Sequence, residues 1–399
     1  MNVTIHPGLL RGTAAAPPSK SHAHRLLIAA ALAQGETCIR CPAENADIAA
    51  TIRCLTALGA PIRREGENLL VSGGLLEAAA AAVLNCGESG STLRFLLPLC
   101  ACLNRAITLT GEGRLPSRPN GPLLAALRAQ NAVLSGDGLP LRLEGGLTAG
   151  EFRLPGNISS QYFTGLLLAL PLLPGDSALL YTSPLESMPY VEITLAVLRQ
   201  FGIGIEAVAG GFRIPGGQRY QSPGQAAVEG DWSAAAFWLG ANRLGSRIKV
   251  TGLDPLSPQG DKAMAERLSH LGGEISVTDV PDLMPILAAV AAAVPGETRI
   301  TGAARLRLKE SDRLSALGET IAALGGWARE EQDGLLIRGG ALRGGVVDGR
   351  NDHRVVMSAA VAATVCQGPV TILGAQAADK SYPGFFEEFA RLGGIVHAG

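Results

Sequence analysis

The chain has 399 residues, more than one hydrophobic core usually organises, which indicates at least two domains. Hydrophobic residues make up 47% of it, enough to exclude a disordered chain. The 34 basic and 35 acidic residues give a net charge of −1, which argues against a nucleic-acid-binding protein with a broad positive field. Only five of the basic residues are lysines: Lys20, Lys249, Lys262, Lys309 and Lys380.

The seven cysteines lie among apolar neighbours without a regular disulfide spacing, which predicts reduced thiols in a cytoplasmic protein. Cys38 and Cys41 form a CxxC, but no second ligand pair follows at zinc-site spacing, which favours a structural role. No signal peptide is expected, because no basic segment precedes an apolar run at the N-terminus. No apolar stretch is long enough to span a bilayer.

The predicted elements begin with a strand at residues 3–5, followed by six apolar helices spread along the chain. Each helix starts at a polar cluster and continues into an Ala-, Leu- or Val-rich stretch. Such helices are expected to be buried on all sides, so that only their N-terminal ends carry chemistry. In chain order the clusters are residues 19–21, 89–92, 159–161, 230–233, 281–282 and 351–354.

A second series of helices runs in phase with the first. Each of these helices ends in Gly, or once in Asn, where a helix C-terminus needs a left-handed residue, and leads into a short apolar strand. The residues concerned are Gly59, Asn131, Gly202, Gly272, Gly325 and Gly393, at steps of 72, 71, 70, 53 and 68 residues. The spacing predicts six repeats of strand, buried helix, surface helix and strand, three in each domain. A Pro- and Gly-rich passage at residues 218–225 is the expected linker, and the strand at 3–5 could pair with either half.

Helix N-termini favour anions, because their N–H groups are unpaired. Four further polar segments have the same character: the loop 111–119 with Arg114 and Arg118, the loop 186–190, the charged helix start 309–313, and residues 379–383 before the last helix. Alone, each feature has a plain structural alternative, such as an N-cap at 159–161, a solvated helix start at 309–313 or a structural histidine at His353. Together they predict a site with many cations, a few carboxylates and one histidine, which suits proton transfer on a multiply anionic substrate.

Common motifs of other enzyme classes are missing from the sequence. It contains no GxxxxGK[ST] phosphate loop, no HExxH zinc motif and no GxSxG nucleophile elbow. The glycines at 202 and 204 fit a dinucleotide pattern only loosely, since they follow a helix rather than a strand. Aromatic residues are 4% of the chain, which disfavours binding of single-stranded nucleic acid.

Five segments together, in order along the whole chain, resemble the 5-enolpyruvylshikimate-3-phosphate (EPSP) synthase family. They are Pro18-Ser-Lys-Ser-His-Ala-His-Arg25, the Arg114 loop, Ser159-Ser160-Gln161, Lys309-Glu-Ser-Asp-Arg313 and Asn351-Asp-His-Arg354. The resemblance implies an α/β (α+β) fold of two domains, each with three βαβαββ-type repeats and buried helices, an inside-out α/β barrel with the active site in the interdomain cleft. It places an N-terminal domain at 15–227, mainly for shikimate 3-phosphate. The C-terminal domain, 1–14 with 228–399, would hold the acid/base and phosphoenolpyruvate-binding residues.

The activity implied by the resemblance is transfer of the enolpyruvyl group of phosphoenolpyruvate to the 5-hydroxyl of shikimate 3-phosphate, with release of phosphate. It proceeds by addition and elimination through a tetrahedral intermediate, on the route to chorismate and the aromatic amino acids. The resemblance implies no metal and no organic cofactor. The expected partners are the two small-molecule substrates, with no nucleic acid and no membrane, and a monomer is the expected state.

Site residues are carried over from the matching motifs. The implied catalytic residues are Asp282 as base, Glu310 as acid, and Lys20 and His353 as proton relays. The implied shikimate 3-phosphate-binding residues are Lys20, Ser21, Arg25, Ser159, Ser160, Gln161, Ser187, Tyr190, Asp282 and Lys309. The implied phosphoenolpyruvate-binding residues are Lys20, Gly90, Arg114, Gln161, Arg313, Arg354 and Lys380.

Some positions depart from the commonest family pattern. The usual Asn-Ala-Gly-Thr-Ala run reads Glu88-Ser-Gly90-Ser-Thr92, Met188 replaces a frequent Lys, and Arg305 replaces a frequent Asn. Since residues around Gly90 contact the inhibitor glyphosate in this family, the departures leave its potency open. The nearest alternative is the sister enzyme that transfers enolpyruvate to UDP-N-acetylglucosamine; it typically carries a cysteine on the loop matching 111–119, which has none here. RNA 3'-phosphate cyclase and a non-catalytic binding protein on the same scaffold are further alternatives.

Overall fold

The computed structural model describes residues 1–75, 82–103 and 105–399. The chain divides into two compact units. Residues 20–228 form the N-terminal unit, and residues 1–19 with 229–399 form the C-terminal unit. The chain therefore passes from one unit to the other between residues 19 and 20 and again between 228 and 229, where the sequence predicted boundaries at 14/15 and 227/228.

The elements alternate along the chain as the repeat predicts. The strands are β1 (Asn2–His6), β2 (Arg11–Ala15), β3 (Glu36–Arg40), β4 (Ile62–Glu65), β5 (Asn68–Ser72), β6 (Ala82–Asn85), β7 (Ile107–Thr110), β8 (Leu134–Ser135), β9 (Leu141–Leu143), β10 (Glu151–Leu154), β11 (Ser177–Tyr181), β12 (Glu206–Val208), β13 (Gly211–Ile214), β14 (Gln225–Ala227), β15 (Arg247–Thr251), β16 (Glu274–Ser276), β17 (Gly296–Thr301), β18 (Trp327–Glu331), β19 (Gly334–Gly339), β20 (Gly345–Asp348), β21 (Val370–Leu373) and β22 (Ile395–Ala398). The α-helices are α1 (Lys20–Leu32), α2 (Ala46–Ala57), α3 (Gly90–Cys102), α4 (Gly121–Ala129), α5 (Ser160–Ala169), α6 (Met188–Gln200), α7 (Trp232–Arg243), α8 (Met264–Ser269), α9 (Met284–Ala293), α10 (Arg313–Ala323), α11 (His353–Ala363) and α12 (Phe385–Arg391).

The N-terminal unit contains three four-stranded sheets of one design. Their strand orders are β14-β3-β5-β4, β6-β7-β9-β8 and β10-β11-β13-β12, and in each the first pair is parallel and the others antiparallel. The passage expected as a linker belongs to this unit, because β14 completes a sheet and the buried Tyr220 hydroxyl donates to the Leu168 carbonyl at 2.7 Å.

The six apolar helices are buried and begin at the predicted polar clusters. They are α1, α3 and α5 in the N-terminal unit and α7, α9 and α11 in the C-terminal unit. Helices α3 and α5 cross so closely that a Cβ at Gly165 would lie 2.2 Å from the Arg94 carbonyl oxygen, so only glycine fits there. Burial on all sides leaves the helix N-termini as the chemically accessible ends, which is how the fold positions polar residues.

The predicted left-handed residues at the ends of the second helix series are confirmed. All six have positive φ, between 66° at Asn131 and 103° at Gly59. This backbone conformation carries little cost for glycine and is tolerated by asparagine, which explains why these residue types mark the repeat.

The C-terminal unit contains two sheets of the same design, ordered β16-β17-β19-β18 and β20-β21-β1-β22. In the second, β1 lies antiparallel between β21 and β22, so the N-terminal strand completes the last repeat. Val3 and Ile5 of this strand are buried in the core of the unit. Across all described residues, no helix is long and apolar enough to cross a membrane.

The first repeat of the C-terminal unit is incomplete. Strand β15 pairs with β2 alone, and α8 leads directly into β16 without a hairpin between them, within residues that are all described. The missing hairpin accounts for the short 53-residue step from Gly272 to Gly325.

The side chain of Asn242 makes hydrogen bonds along the edge of β15 that the missing hairpin would otherwise cover. Arg247 and Thr251 direct backbone groups towards β2, so Ile248 between them faces the other way. The Asn242 side chain accepts from the Ile248 N–H at 2.7 Å and donates to the Ile248 carbonyl at 2.8 Å. The amide thus makes the two hydrogen bonds that a neighbouring strand would make.

Candidate active site

In the C-terminal unit, a charged cluster forms where α9, α10 and α11 begin. Its centre is Arg313, the first residue of α10, which is 1% exposed. The Arg313 guanidinium donates through Nε to Asp352 Oδ2 at 2.8 Å, through Nη1 to Asp282 Oδ1 at 3.2 Å and through Nη2 to Glu310 Oε2 at 2.8 Å. One buried cation therefore joins three carboxylates that lie up to 70 residues apart in sequence (282 to 352).

A second guanidinium fixes Asp282 from the other side. Arg354 donates through Nη2 to Asp282 Oδ2 at 2.8 Å and through Nη1 to the Asp282 carbonyl at 3.0 Å. The structure thus brings the predicted residues Asp282, Glu310, Arg313 and Arg354 into one hydrogen-bonded cluster. Arg313 is not part of a solvated helix start, the plain alternative for this segment.

Asp352 holds the cluster together through hydrogen bonds from Arg313, Ser311 and the Arg354 N–H. It is fully buried, caps α11 by accepting from the Arg354 N–H at 2.9 Å, and accepts from Ser311 Oγ at 3.0 Å. Burial is the largest single influence on Asp352 and would raise its pKa, but the charge and hydrogen bond of Arg313, together with the charge of His353, hold that pKa below its ordinary value. Burial likewise opposes the charge of Arg313, yet the facing carboxylates, Asp352 first, raise its pKa above the ordinary value.

The turn before α11 has an unusual backbone. Arg350 and Asn351 have φ of 51° and 52°, a left-handed conformation that costs a non-glycine residue on the order of 1–2 kcal/mol. The Asn351 carbonyl accepts from Lys380 Nζ at 2.8 Å, and His353 is 2% exposed. Lys309 is half-buried one residue before Glu310. Local strain of this kind is common where a segment is shaped for a ligand.

In the N-terminal unit, Arg25 is held inside a shell of neutral oxygens. It donates to the Ser21 and Tyr190 carbonyls and to the hydroxyls of Thr164 and Thr194, and its guanidinium lies 4.9 Å from the centre of the Phe95 ring. Because it is buried, its pKa is lowered to about 9, so it remains charged at neutral pH. A buried cation whose hydrogen bonds go to neutral oxygens is suited to an incoming anion.

Lys20, the first residue of α1, forms an ion pair with Asp47 of α2. The distance between Nζ and Oδ2 is 2.9 Å, and both side chains are largely buried. Asp47 was not assigned to the site by the sequence.

The N-terminus of α3 lies against a buried arginine. A Cβ at Gly90 would lie 2.8 Å from Nη1 and 3.0 Å from Cζ of Arg118, so glycine allows this close approach. Arg118 is 6% exposed, whereas Arg114, the residue chosen from the same loop, is exposed. Sequence reasoning recognised both arginines, but nothing in the motif indicated that Arg118 is the one beside Gly90.

Gln161 is clamped by two neighbours. Its Oε1 accepts from Arg94 Nη1 at 2.7 Å, and its Nε2 donates to Ser91 Oγ at 2.9 Å, which fixes the orientation of the amide. Arg94 also donates to Asn120 Oδ1 and the Pro119 carbonyl, both at 3.0 Å. Like Asp47 and Arg118, Arg94 was not assigned to the site from the sequence.

The predicted serines take up structural positions at helix starts. Ser159 caps α5 by accepting from the Gln161 N–H at 3.3 Å, as its plain alternative expected. Ser160 is buried at the first position of that helix, and Ser21 lies half-buried in α1. Ser187, before α6, has φ of 58°, a left-handed conformation that is rare for serine. Tyr190 lies in the first turn of α6, where its carbonyl binds Arg25.

No group of three or more His, Cys, Asp or Glu residues that could hold a metal ion occurs in residues 1–75, 82–103 and 105–399.

Solved structures of other proteins share the fold. The EPSP synthase from Acinetobacter baumannii matches with a TM-score of 0.83 and 25% identity over 100% of both chains. The enolpyruvyl transferase NikO from Streptomyces tendae matches with a TM-score of 0.78 and 18% identity over 99% of this chain and 98% of that one. The fold is therefore one that enolpyruvyl transferases adopt.

The sequence comparisons are more specific. The profile of the family described as EPSP synthase (3-phosphoshikimate 1-carboxyvinyltransferase) matches residues 5–280 and 269–389. A 3-phosphoshikimate 1-carboxyvinyltransferase from Halobacterium salinarum is 41% identical over 98% of this chain and 99% of its own. The chain belongs to the EPSP synthase family, which confirms the resemblance and the fold class predicted from the motifs.

Proposed function

We propose that the protein transfers the enolpyruvyl group of phosphoenolpyruvate to the 5-hydroxyl of shikimate 3-phosphate, as the names of its full-length relatives indicate for those proteins. The observation that carries the proposal is the cluster around Arg313, in which the carboxylates of Asp282 and Glu310 share one buried guanidinium. Two fixed carboxylates beside two arginines suit acid/base chemistry on an anionic substrate.

Asp282 and Glu310 divide the proton transfers. Asp282 takes the proton of the 5-hydroxyl as its oxygen attacks C2 of phosphoenolpyruvate, and Glu310 gives a proton to C3. The tetrahedral intermediate then loses a C3 proton and phosphate, which restores the double bond. Lys20 and His353 act as proton relays. Arg313 and Arg354 hold Asp282 in one orientation, which supports its role as the base.

Shikimate 3-phosphate binding is assigned to one set of residues. They are Lys20, Ser21, Arg25, Ser159, Ser160, Gln161, Ser187, Tyr190, Asp282 and Lys309. The charge of Arg25 among neutral oxygens supports a carboxylate partner, and the strained backbone of Ser187 supports a ligand contact.

Phosphoenolpyruvate binding is assigned to a second set, with one addition to the residues expected from sequence. They are Lys20, Gly90, Arg114, Arg118, Gln161, Arg313, Arg354 and Lys380. Arg118 joins the set because its buried guanidinium lies against the N-terminal end of α3, where both the helix and the side chain favour an anion.

The test is phosphate release from phosphoenolpyruvate with each candidate acceptor. We expect release with shikimate 3-phosphate and none with UDP-N-acetylglucosamine. The reverse result would assign the chain to the sister activity, and no release with either acceptor would contradict both assignments.

Glu310→Gln tests the acid directly. We expect kcat to fall by about 10²- to 10⁴-fold while the affinity for shikimate 3-phosphate is retained, because the amide keeps the shape but cannot deliver the proton. Glu297→Gln, at an exposed ion pair with Arg338, is the matched control. Equal losses of turnover and binding would make Glu310 a structural residue instead.

We also propose a cytoplasmic location and a monomeric state. The seven cysteines are free thiols, which suits a reducing compartment. Size-exclusion chromatography with light scattering measures the state, and a stable dimer would contradict it.

A further inference from the structure

A buried chain of polar side chains links three helices of the N-terminal unit. His24 Nδ1 of α1 lies 2.7 Å from Thr51 Oγ1 of α2, and Thr51 Oγ1 lies 2.7 Å from Thr92 Oγ1 of α3. Thr92 Oγ1 then donates to Ser89 Oγ at 2.8 Å. All four residues are at most 1% exposed, and none of them has a role in the proposed function.

The protons in this chain have one consistent arrangement. Thr92 uses its single hydroxyl proton on Ser89; a longer contact to the Asp47 carbonyl, at 3.4 Å, draws on the same proton. Thr51 must therefore donate to Thr92, and His24 Nδ1–H must donate to Thr51. His24 is then the neutral Nδ1–H tautomer, and its Nε2, which has no hydrogen-bond partner among residues 1–75, 82–103 and 105–399, carries a lone pair rather than an orphaned proton.

The surroundings of His24 keep it neutral. Burial, and after it the charges of Lys20 and Arg25, hold its pKa well below the ordinary value. The His24 and Phe95 rings pack in a T-shaped arrangement, with a centroid distance of 6.1 Å and an angle of 89° between their planes. A buried polar ring with one unsatisfied nitrogen costs stability, so its presence in the core calls for an explanation.

This chain of hydrogen bonds reaches the N-terminus of α3, the helix end that the proposed function assigns to phosphoenolpyruvate. Ser89 is the N-cap of that helix and accepts from the Thr92 N–H at 3.2 Å. The next residue is Gly90, which lies in close contact with Arg118. Because Arg118 leaves no space at Gly90, a small shift of the first turn would move the helix N–H groups and this guanidinium relative to each other.

We propose that His24 is a positioning residue whose hydrogen-bond chain through Thr51, Thr92 and Ser89 fixes the first turn of α3 for phosphoenolpyruvate. The inference rests on the proposed function, since it assumes that Gly90 and Arg118 bind that substrate. The proposal also gives one structural reason for two residues that differ from the common family pattern, Ser89 and Thr92, because their hydroxyls form a hydrogen bond with each other. Arg25, which is assigned to shikimate 3-phosphate, is held by a separate set of oxygens. The hydrogen-bond chain from His24 should therefore affect phosphoenolpyruvate binding more than shikimate 3-phosphate binding.

The first test breaks the chain in its middle with Thr51→Val, which removes the hydroxyl and keeps the shape. We expect the KM for phosphoenolpyruvate to rise about tenfold, the loss of roughly one neutral hydrogen bond, with the KM for shikimate 3-phosphate within about twofold. Thr37→Val is the matched control, a fully buried threonine of the same unit that bonds to Ser222. An unchanged KM for phosphoenolpyruvate, or equal rises for both substrates, would overturn the proposal.

The second test replaces His24, the first residue of the hydrogen-bond chain, once without and once with a side-chain donor. His24→Leu removes the donor and should raise the KM for phosphoenolpyruvate as Thr51→Val does. His24→Asn keeps a side-chain N–H that can reach Thr51 and should restore most of the affinity. Equal behaviour of the two variants would show that only packing matters at this position and would overturn the proposal.

The third test needs neither variants nor turnover, and so separates this inference from the proposed function. Nitrogen-15 spectra of the wild-type imidazole should show His24 as the Nδ1–H tautomer, unchanged between about pH 5 and 8. Phosphoenolpyruvate should shift the Gly90 amide resonance. An Nε2–H tautomer would contradict the chain even in an active enzyme, whereas the predicted tautomer in an enzyme that releases no phosphate would contradict only the proposed function.

Discussion

Arg313 and Asp352 show what a charged cluster requires when it lies inside a protein. Removing two charges from water costs more than their attraction returns, unless further hydrogen bonds satisfy both groups. Asp352 meets this condition, with Arg313, Ser311 and the Arg354 N–H as donors. The same bonds hold Arg313 where it reaches Asp282 and Glu310, so stability and site geometry depend on one pair.

Asp352→Asn should lower the free energy of unfolding of the C-terminal unit by about 3–5 kcal/mol, because it leaves the buried Arg313 with less compensation. Hydrogen exchange of the amides in α11 under increasing denaturant measures the loss. The control is Glu297→Gln, at an exposed pair, which should change stability by no more than about 1 kcal/mol. A loss as small as that of the control would show that Arg313 is stabilised without Asp352.

The same pair predicts a pH dependence. Burial favours the neutral form of Asp352, but the charge and hydrogen bond of Arg313, with a smaller effect from His353, leave the pKa of Asp352 depressed in the folded state. Its stabilising contribution is therefore fully present above the unfolded value of about 4 and is lost as pH falls through the lower folded value. Asp352→Asn should bring the stabilities of wild type and variant together as the pH is lowered towards 3. A constant difference over that range would exclude this origin.

The sequence identified site residues that belong to a recognisable motif. It did not identify residues whose importance depends on a contact with another part of the fold. Asp282, Glu310, Arg313 and Arg354 were predicted and lie together. Arg94 and Arg118 were missed as site residues because their importance comes from contacts with Gln161 and Gly90, which are distant in the chain or across a turn. A motif records which residue types are present, but not which of two arginines folds inward.

The Asn242 side chain makes two hydrogen bonds that a neighbouring strand would otherwise make with β15. The open edge of a sheet can pair with another chain, and β15 lacks the hairpin that covers the corresponding strand in the other repeats. Asn242 occupies the backbone groups of Ile248, which is largely buried. The exposed charges of Arg247 and Lys249 further disfavour pairing with a second strand.

Asn242→Ala should lower the stability of the C-terminal unit by about 1–3 kcal/mol, because it leaves two largely buried backbone groups unsatisfied. It should also increase self-association with concentration, which light scattering detects. Arg243→Ala, at the neighbouring exposed position of α7, is the control and should do neither. Equal behaviour of the two variants would mean that the edge of β15 needs no cover.

The repeat itself was predictable because its markers are local. A left-handed residue at a helix end and a polar cluster at a helix start each follow from backbone physics, and all six of each lie where expected. The missing hairpin was not predictable, since a step of 53 residues shows that an element is absent but not which one.

Strand β1 determines which unit the start of the chain belongs to. Ile5 is fully buried in the core of the C-terminal unit, opposite Val370 and Val396. Ile5→Ala should cost about 2–5 kcal/mol through the cavity it creates. Hydrogen exchange should show the loss in α11 and not in α3, although α3 is nearer in sequence. Leu9→Ala, at an exposed position, is the control, and loss of protection in α3 instead would contradict the pairing of β1.

The position of β1 also sets an order of events during synthesis. Strand β1 leaves the ribosome well before its two neighbours, β21 and β22, which lie more than 360 residues further along the chain. At about 5–20 residues per second, Val3 and Ile5 wait on the order of 20–80 seconds for their partners. The N-terminal unit, whose strands all lie between residues 36 and 227, can be complete in that time. A nascent chain that stops between β21 and β22 therefore leaves an apolar strand with one edge uncovered, a ready substrate for chaperones.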